Sequence, residues 1–197
     1  MKTLNVRVNG LSPILMHSDK LANPLDPLKK KQAQYTSKRK KTDDDHAEIA
    51  RIEWMGGMYY DEKIGPFLPG RMLKANLIAA AKKTRESPKV KSGLIVSTDK
   101  AKLQYSGPRD QEKMWKTGDF VDIRSVVVQR ARLMRCRPIF NEWGAEFEIV
   151  YDENVIDGED VVRLLETGGT MIGIGDYRPA NGGDFGRFEV EVLNGKK

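Results

Sequence analysis

Residues 71–83 constrain the fold more than any other stretch. Leu73, Leu77 and Ala81 recur every fourth residue with Ile78 beside them, which draws one apolar stripe along a helix. Pro69-Gly70 opens this helix, and its alanines permit close packing against a sheet. The chain around it reads with the other period. Leu4, Val6 and Val8 alternate with Asn5 and Arg7, and Ala145, Phe147, Ile149 and Tyr151 alternate with Glu146 and Glu148. Phe188, Val190 and Val192 form a last alternating run. Such alternation is that of a strand with one buried face. A second helix is expected over 158–166, capped by Asp157 and burying Val161, Val162, Leu164 and Leu165. Short strands are expected at 93–97 and 101–105, with an edge strand over 11–16 that Pro13 keeps out of a sheet centre. Residues 126–139 read as one long strand, joined to 145–151 by a hairpin turn at Asn141-Glu142-Trp143-Gly144. The order predicts an α+β fold: a ferredoxin-like or RNA-recognition-like β-α-β-β-α-β core, helices on one face and the other face free to bind.

Between the first strand and the long helix the character changes. Pro24 and Pro27 interrupt regular structure, and Lys29, Lys30, Lys31, Lys38, Arg39, Lys40 and Lys41 place seven positive charges in 13 residues. This segment is expected to be a flexible loop or the rim of an insertion, since like charges repel and there is little to bury. Asp43-Asp44-Asp45 then starts a helix to about Met55, with Trp54 anchoring the segment. The whole of 20–62 is an insertion into a single domain spanning 1–197.

Charge is unevenly spread. Residues 1–137 carry 29 basic and 15 acidic side chains; residues 138–197 carry 5 and 13. A basic part of this size attracts an anionic polymer. Solubility and head-to-tail self-association, basic part against acidic part, are the other uses of such a dipole. Arg124, Arg130, Arg132, Arg135 and Arg137 fall in 14 residues without an acid. Guanidinium groups make bidentate contacts to phosphate. Pairing with Glu146 and Glu148 across the expected hairpin is the alternative. A glycine-dense loop follows the second helix, with seven glycines among residues 168–186 and Arg178 and Arg187 for positive charge. It lacks the dinucleotide fingerprint and the P-loop lysine, so it is read either as a cradle for a phosphate backbone or as a tight structural turn. The start of the 71–83 helix offers amides to an anion, with Arg71 and Lys74 in reach.

Catalytic signals are weak. His17 lies near Ser12, Ser18 and Asp19, the setting of a general base, though a local polar loop contact is the preferred reading. One cysteine and two histidines make no zinc set. No metal and no cofactor are expected. Cys136 sits within the arginines, where its pKa could fall, but with no histidine partner in view it is read as a small strand residue. As the one cysteine it forms no internal disulfide. With no long apolar run and no secretion signal at Met1-Lys2-Thr3-Leu4-Asn5, a cytoplasmic protein without a membrane partner is expected.

Three segments together resemble the RAMP superfamily, the repeat-associated CRISPR RNA-binding proteins. Val8-Asn9-Gly10-Leu11-Ser12-Pro13-Ile14-Leu15 resembles their opening strand and turn. Pro66-Phe67-Leu68-Pro69-Gly70-Arg71-Met72-Leu73-Lys74-Ala75 resembles the segment that opens their first helix. Gly173-Ile174-Gly175-Asp176-Tyr177-Arg178, continued by Gly186-Arg187-Phe188, resembles their glycine-rich loop. Arg71-Met72 and Ala75 depart from the family pattern, which has small polar residues and a second glycine there. The resemblance implies a short, divergent relative of the backbone-subunit branch, phage-borne in one version. Its expected partners are single-stranded RNA or DNA and further copies of itself in an oligomer or filament. Arg71 and Lys74 would take the helix role, Gly173, Gly175 and Gly186 the loop role, and 20–62 the role of a thumb or finger that displaces a base. The superfamily also contains metal-independent endoribonucleases, for which His17 is the candidate base; a module that binds nucleic-acid machinery is the third reading. All the nucleic-acid readings require the strand arginines, the helix start and the glycine loop to converge on one open, positive surface.

Overall fold

The computed structural model describes residues 1–193. In chain order its elements are β1 (Lys2–Gly10), β2 (Ile14–Leu15), α1 (Pro27–Thr36), α2 (Asp43–Gly57), β3 (Tyr60–Asp61), β4 (Gly65–Pro69), α3 (Gly70–Lys83) and α4 (Ser87–Gly93). There follow β5 (Leu94–Val96), β6 (Lys100–Lys102), α5 (Gln111–Thr117), β7 (Val121–Val128), β8 (Ala131–Phe140), β9 (Gly144–Tyr151), α6 (Gly158–Thr167) and β10 (Phe188–Leu193). The chain divides into two compact units. The first holds Met1–Ile14, Asp61–Ser106 and the chain from Phe140 onward; the second holds Leu15–Tyr60 and Gly107–Ile139.

The first unit is built on an antiparallel sheet in the order β10-β1-β9-β5. β1 lies between its partners in one register, with Val6 opposite both Phe147 and Val192, and Val8 opposite both Ala145 and Val190. The period-two alternation sends Val6, Val8, Ala145, Phe147, Ile149 and Phe188 to the core, where they meet Leu73, Leu77, Ala80 and Ala81 of α3 and Val161, Leu164 and Leu165 of α6. Each large side chain so buried stabilises the fold by roughly 1.5–3 kcal/mol. Gly70 starts α3 because nothing larger fits: a Cβ there would lie 1.9 Å from the carbonyl oxygen of Thr98. Asn76, buried in mid-helix, donates from Nδ2 to the carbonyls of Gly168 (2.9 Å) and Gly173 (2.8 Å), and so ties α3 to the π-turn Gly168–Ile172. The arrangement is an α+β fold of helices on antiparallel sheets, consistent with a ferredoxin-like or RNA-recognition-like core.

The opposite face of this sheet departs from expectation. It displays Glu146, Glu148, Glu189 and Glu191 around Arg7, which binds Glu146 (2.6 Å) and Glu191 (3.3 Å). Four carboxylates about one guanidinium repel phosphate, so this face is not the open binding platform expected of it.

In the second unit, Trp54 of α2 is fully buried, donates from Nε1 to the Phe120 carbonyl (2.8 Å), and lies 5.5 Å from the Trp115 ring of α5. It does anchor its segment. Thr42 and Asp45 form a reciprocal capping box at the start of α2. The basic stretch is a loop only in part, since its first lysines lie on a helix and residues 37–42 form the loop. Asp26 caps Leu28, Pro27 takes the first helical position, and 27–36 is helix. Nor is 126–139 one strand. Gln129 and Arg130 take left-handed backbone angles (φ 48° and 69°) and reverse the chain between β7 and β8, which pair from Val121↔Pro138 to Val128↔Ala131. The expected hairpin between β8 and β9 is also absent, for those strands belong to different sheets.

Candidate nucleic-acid interface

The expected cations are divided between the units. The second holds 29–41 and the arginines of the β7–β8 hairpin; the first holds Arg71, Lys74, Arg178, Arg187 and the glycines.

On the hairpin, most of the arginine stripe is occupied, though not by Glu146 and Glu148. Arg124 is bonded through Nε to both carboxylate oxygens of Asp122 (2.8 Å each). Arg137 is buried 3.7 Å from the same carboxylate. Arg135 binds Glu53 of α2 (2.6 Å), whose other oxygen accepts the Cys136 amide (3.0 Å). Burial takes Arg137 off the list of phosphate contacts, and Arg135 and Arg124 are braced structurally. Glu53, itself buried, escaped sequence reasoning, since no local motif surrounds it. Cys136 is buried in β8, the small strand residue it was read to be, and desolvation, then the charges of Glu53 and Asp122, push its thiol up to about 12 rather than down.

Arg130 and Arg132 differ. Both are exposed, and among the described residues no acid pairs with either. Arg132 lies opposite Val127, and Met134 opposite Ser125, on the face that also carries Ile123; Leu133 lies opposite Val126 on the other face. Val127 is 67% exposed and Met134 62%, and Ala131 to Met134 are exposed without a break. In a pleated strand that means both faces of this end are in solvent. The hairpin end thus combines guanidinium groups with unburied apolar side chains. Sequence reasoning missed the apolar half, although the Val126-Val127-Val128 run beside the arginines was the signal.

In the basic segment, Lys31 pairs with Glu48 (2.5 Å) and Lys38 with Asp45 (2.5 Å), fastening α1 and its following turn to α2. Lys29 bonds Gln32 (3.1 Å) and Lys41 the carbonyl of Lys38 (3.0 Å). Lys30, Arg39 and Lys40 are exposed. The Lys38 ammonium, then the Thr42 amide, hold the Asp45 carboxyl below its ordinary 3.8; Lys31, then Arg51, hold Glu48 below 4.5. A carboxylate depressed in the folded state contributes stability above its unfolded pKa and loses it as pH falls through the folded value. Thermal melts followed by circular dichroism should therefore be level from pH 7 to 5 and fall below about pH 4, with a shallower acid decline in Asp45→Asn. Equal acid slopes in both proteins would refute this.

In the first unit, Lys74 is engaged within the protein. Its half-buried ammonium donates to the carbonyls of Val90 (2.5 Å) and Leu94, and burial lowers its pKa. At the helix start the Gly70 amide is taken by the Asp99 carbonyl (2.9 Å), while Arg71 is exposed. The glycine loop is joined to the Leu11-Ser12-Pro13 turn: Gly186 donates to Pro13 (2.8 Å), Leu11 to the Arg187 carbonyl (2.8 Å) and Ser12 Oγ to the Asp184 carbonyl (2.8 Å). Gly173, Gly175 and Gly186 all have positive φ (70°, 82° and 69°). The amides of Gly173 and Gly186 are bonded inside the loop and turn, to Gly168 and Pro13, which favours the structural reading of these two over a phosphate cradle. Arg178 holds the Gly175 carbonyl (3.1 Å) and Arg187 that of Thr170.

His17 is exposed, and its neighbour Ser18 caps the 3₁₀ turn Asp19–Ala22 through the Lys20 amide (3.2 Å). Among the described residues no group of three or more His, Cys, Asp or Glu could hold a metal ion. None of the described helices is long and apolar enough to cross a membrane.

No protein-family model matches the sequence, and no curated protein matches it. Solved structures do match. One is a chain in the cryo-EM structure of the Type III-B Cmr-beta bound to cognate target RNA, with a TM-score of 0.56 and 12% identity over 98% of this chain. At that identity the likeness is one of fold, and this chain spans 61% of the length of the one it matches.

Proposed function

We propose that the protein is a non-catalytic binder of single-stranded RNA or DNA, a relative of the RAMP superfamily. The observation that carries this reading is the uncovered end of the β7–β8 hairpin. There Arg130 and Arg132 accompany Val127, Leu133 and Met134. Guanidinium groups engage phosphates, and apolar side chains fit against or between unstacked bases, a combination that suits a single strand better than a closed duplex. The exposed Lys30, Arg39 and Lys40 add charge within the same unit. The thumb or finger role expected of 20–62 extends in this reading to the hairpin, which belongs to the same unit. Succession of β1, α3, β5, β9, α6 and β10 with the sheet order β10-β1-β9-β5 supports a β-α-β-β-α-β core. The structural likeness to a chain in an RNA-bound assembly supports the ligand class. Head-to-tail assembly along the strand belongs to the same reading, supported by the opposite charges of residues 1–137 and 138–197.

Fluorescence anisotropy with a labelled single-stranded 20-mer over graded salt tests the proposal. Arg130→Ala with Arg132→Ala should weaken binding about tenfold at low salt and make the log–log salt slope shallower by about 1.4. Absence of binding by the unaltered protein, or an unchanged slope in the double variant, would overturn it.

A further inference from the structure

We infer that Tyr177 in the glycine loop is a stacking platform for one unpaired nucleobase; this rests on the nucleic-acid reading above and adds a second contact, in the other unit. Tyr177 has φ 47°, a left-handed angle that bulky residues rarely adopt. The loop fixes it there from three sides. The Tyr177 amide donates to Asp176 Oδ1 (2.9 Å), its carbonyl accepts from the Phe185 amide (3.3 Å), and Gly183 comes so near that a Cβ would lie 1.8 Å from that carbonyl oxygen. Backbone strain held this firmly sets the direction of a side chain.

What is so directed is an aromatic ring left 47% exposed. Its centroid lies 6.2 Å from the Phe185 ring at a 39° tilt, a brace that does not enclose it. The same loop carries cations: Arg178, which follows Tyr177 in the chain and is held on the Gly175 carbonyl, and Arg187, held on that of Thr170 and 4.0 Å from Asp184. Met171 and Leu11 are also exposed, on the segments that Arg187 joins. A rigid π-face beside guanidinium groups matches a nucleotide, which offers a flat base and an anionic phosphate.

The test compares two labelled single-stranded oligomers of equal length by anisotropy, one with bases and one built wholly of abasic sites. Tyr177→Ala should weaken binding of the base-bearing oligomer about 5- to 10-fold and leave the abasic one within about twofold. Tyr177→Phe should match the unaltered protein on both. Should Tyr177→Ala melt early by circular dichroism, Tyr177→Asn serves instead, because asparagine tolerates the left-handed angle. Equal loss on both oligomers, or loss on neither, overturns the inference. Two failures separate cleanly. If the unaltered protein binds neither oligomer, the nucleic-acid reading falls with it. If it binds, weakens on loss of Arg130 and Arg132, and ignores Tyr177, only the stacking role falls.

Discussion

Gly186→Ala will destabilise the protein by roughly 3–5 kcal/mol, enough to unfold much of it at ambient temperature. Two penalties coincide at this position. The backbone sits at φ 69°, which an alanine adopts only under strain, and the added Cβ would lie 1.7 Å from the carbonyl oxygen of Ile174. That neighbour is backbone and cannot swing aside, since the Ile174 amide is itself bonded to the Gly186 carbonyl (2.9 Å). Gly182→Ala provides the control. Gly182 has φ 79°, and an added methyl group would meet nothing within 4 Å, so the cost there is strain alone, about 1 kcal/mol. Urea midpoints followed by circular dichroism should separate the two variants widely. Similar midpoints would show that the close approach at Gly186 relaxes without penalty.

Glu53→Ala is the second large effect, about 2–4 kcal/mol, and it falls in the other unit. The buried carboxylate answers both the Arg135 guanidinium and the Cys136 amide. Removing it strands a buried N–H donor and leaves Arg135 without this partner. Glu53→Gln keeps an acceptor for the amide and loses the ion pair, so it should fall between. Cys136 supplies a second readout. Its thiol is buried and stays protonated at neutral pH, so an aromatic disulfide reagent should label the native protein slowly and Glu53→Ala faster by tenfold or more, about 1.4 kcal/mol of easier opening. Unchanged labelling together with an unchanged midpoint would refute the bridging role of Glu53.

Elements with a strong period were legible in the sequence. The β1, β9 and β10 alternation and the α3 stripe came through because one face of each is buried, and burial is what writes the period. Helix α1 was lost behind its lysines, although Asp26-Pro27 carried a usable cap signal. The β7–β8 reversal left no trace, since Gln129 and Arg130 adopt positive φ without the glycine or asparagine that usually marks such a turn. Asn141 to Gly144 produced the opposite error: a turn motif fixes a local reversal but not whether the flanking strands pair. At the candidate site, the arginines were legible as charge. Which of them remained available was not. Arg135 is answered by Glu53, 82 positions earlier, and no local pattern encodes that meeting.

The central strand of the four-stranded sheet has a consequence for how the protein is made. β1 is translated before its two neighbours, β9 and β10, which emerge from the ribosome more than a hundred residues later. Until then its Val6 and Val8 lack the strands that cover them, while α3 is already available to hold the apolar face. Sheet closure is thus a late, long-range event, and a nascent chain stalled before Gly144 would expose an unpaired strand on both edges, a natural target for chaperones.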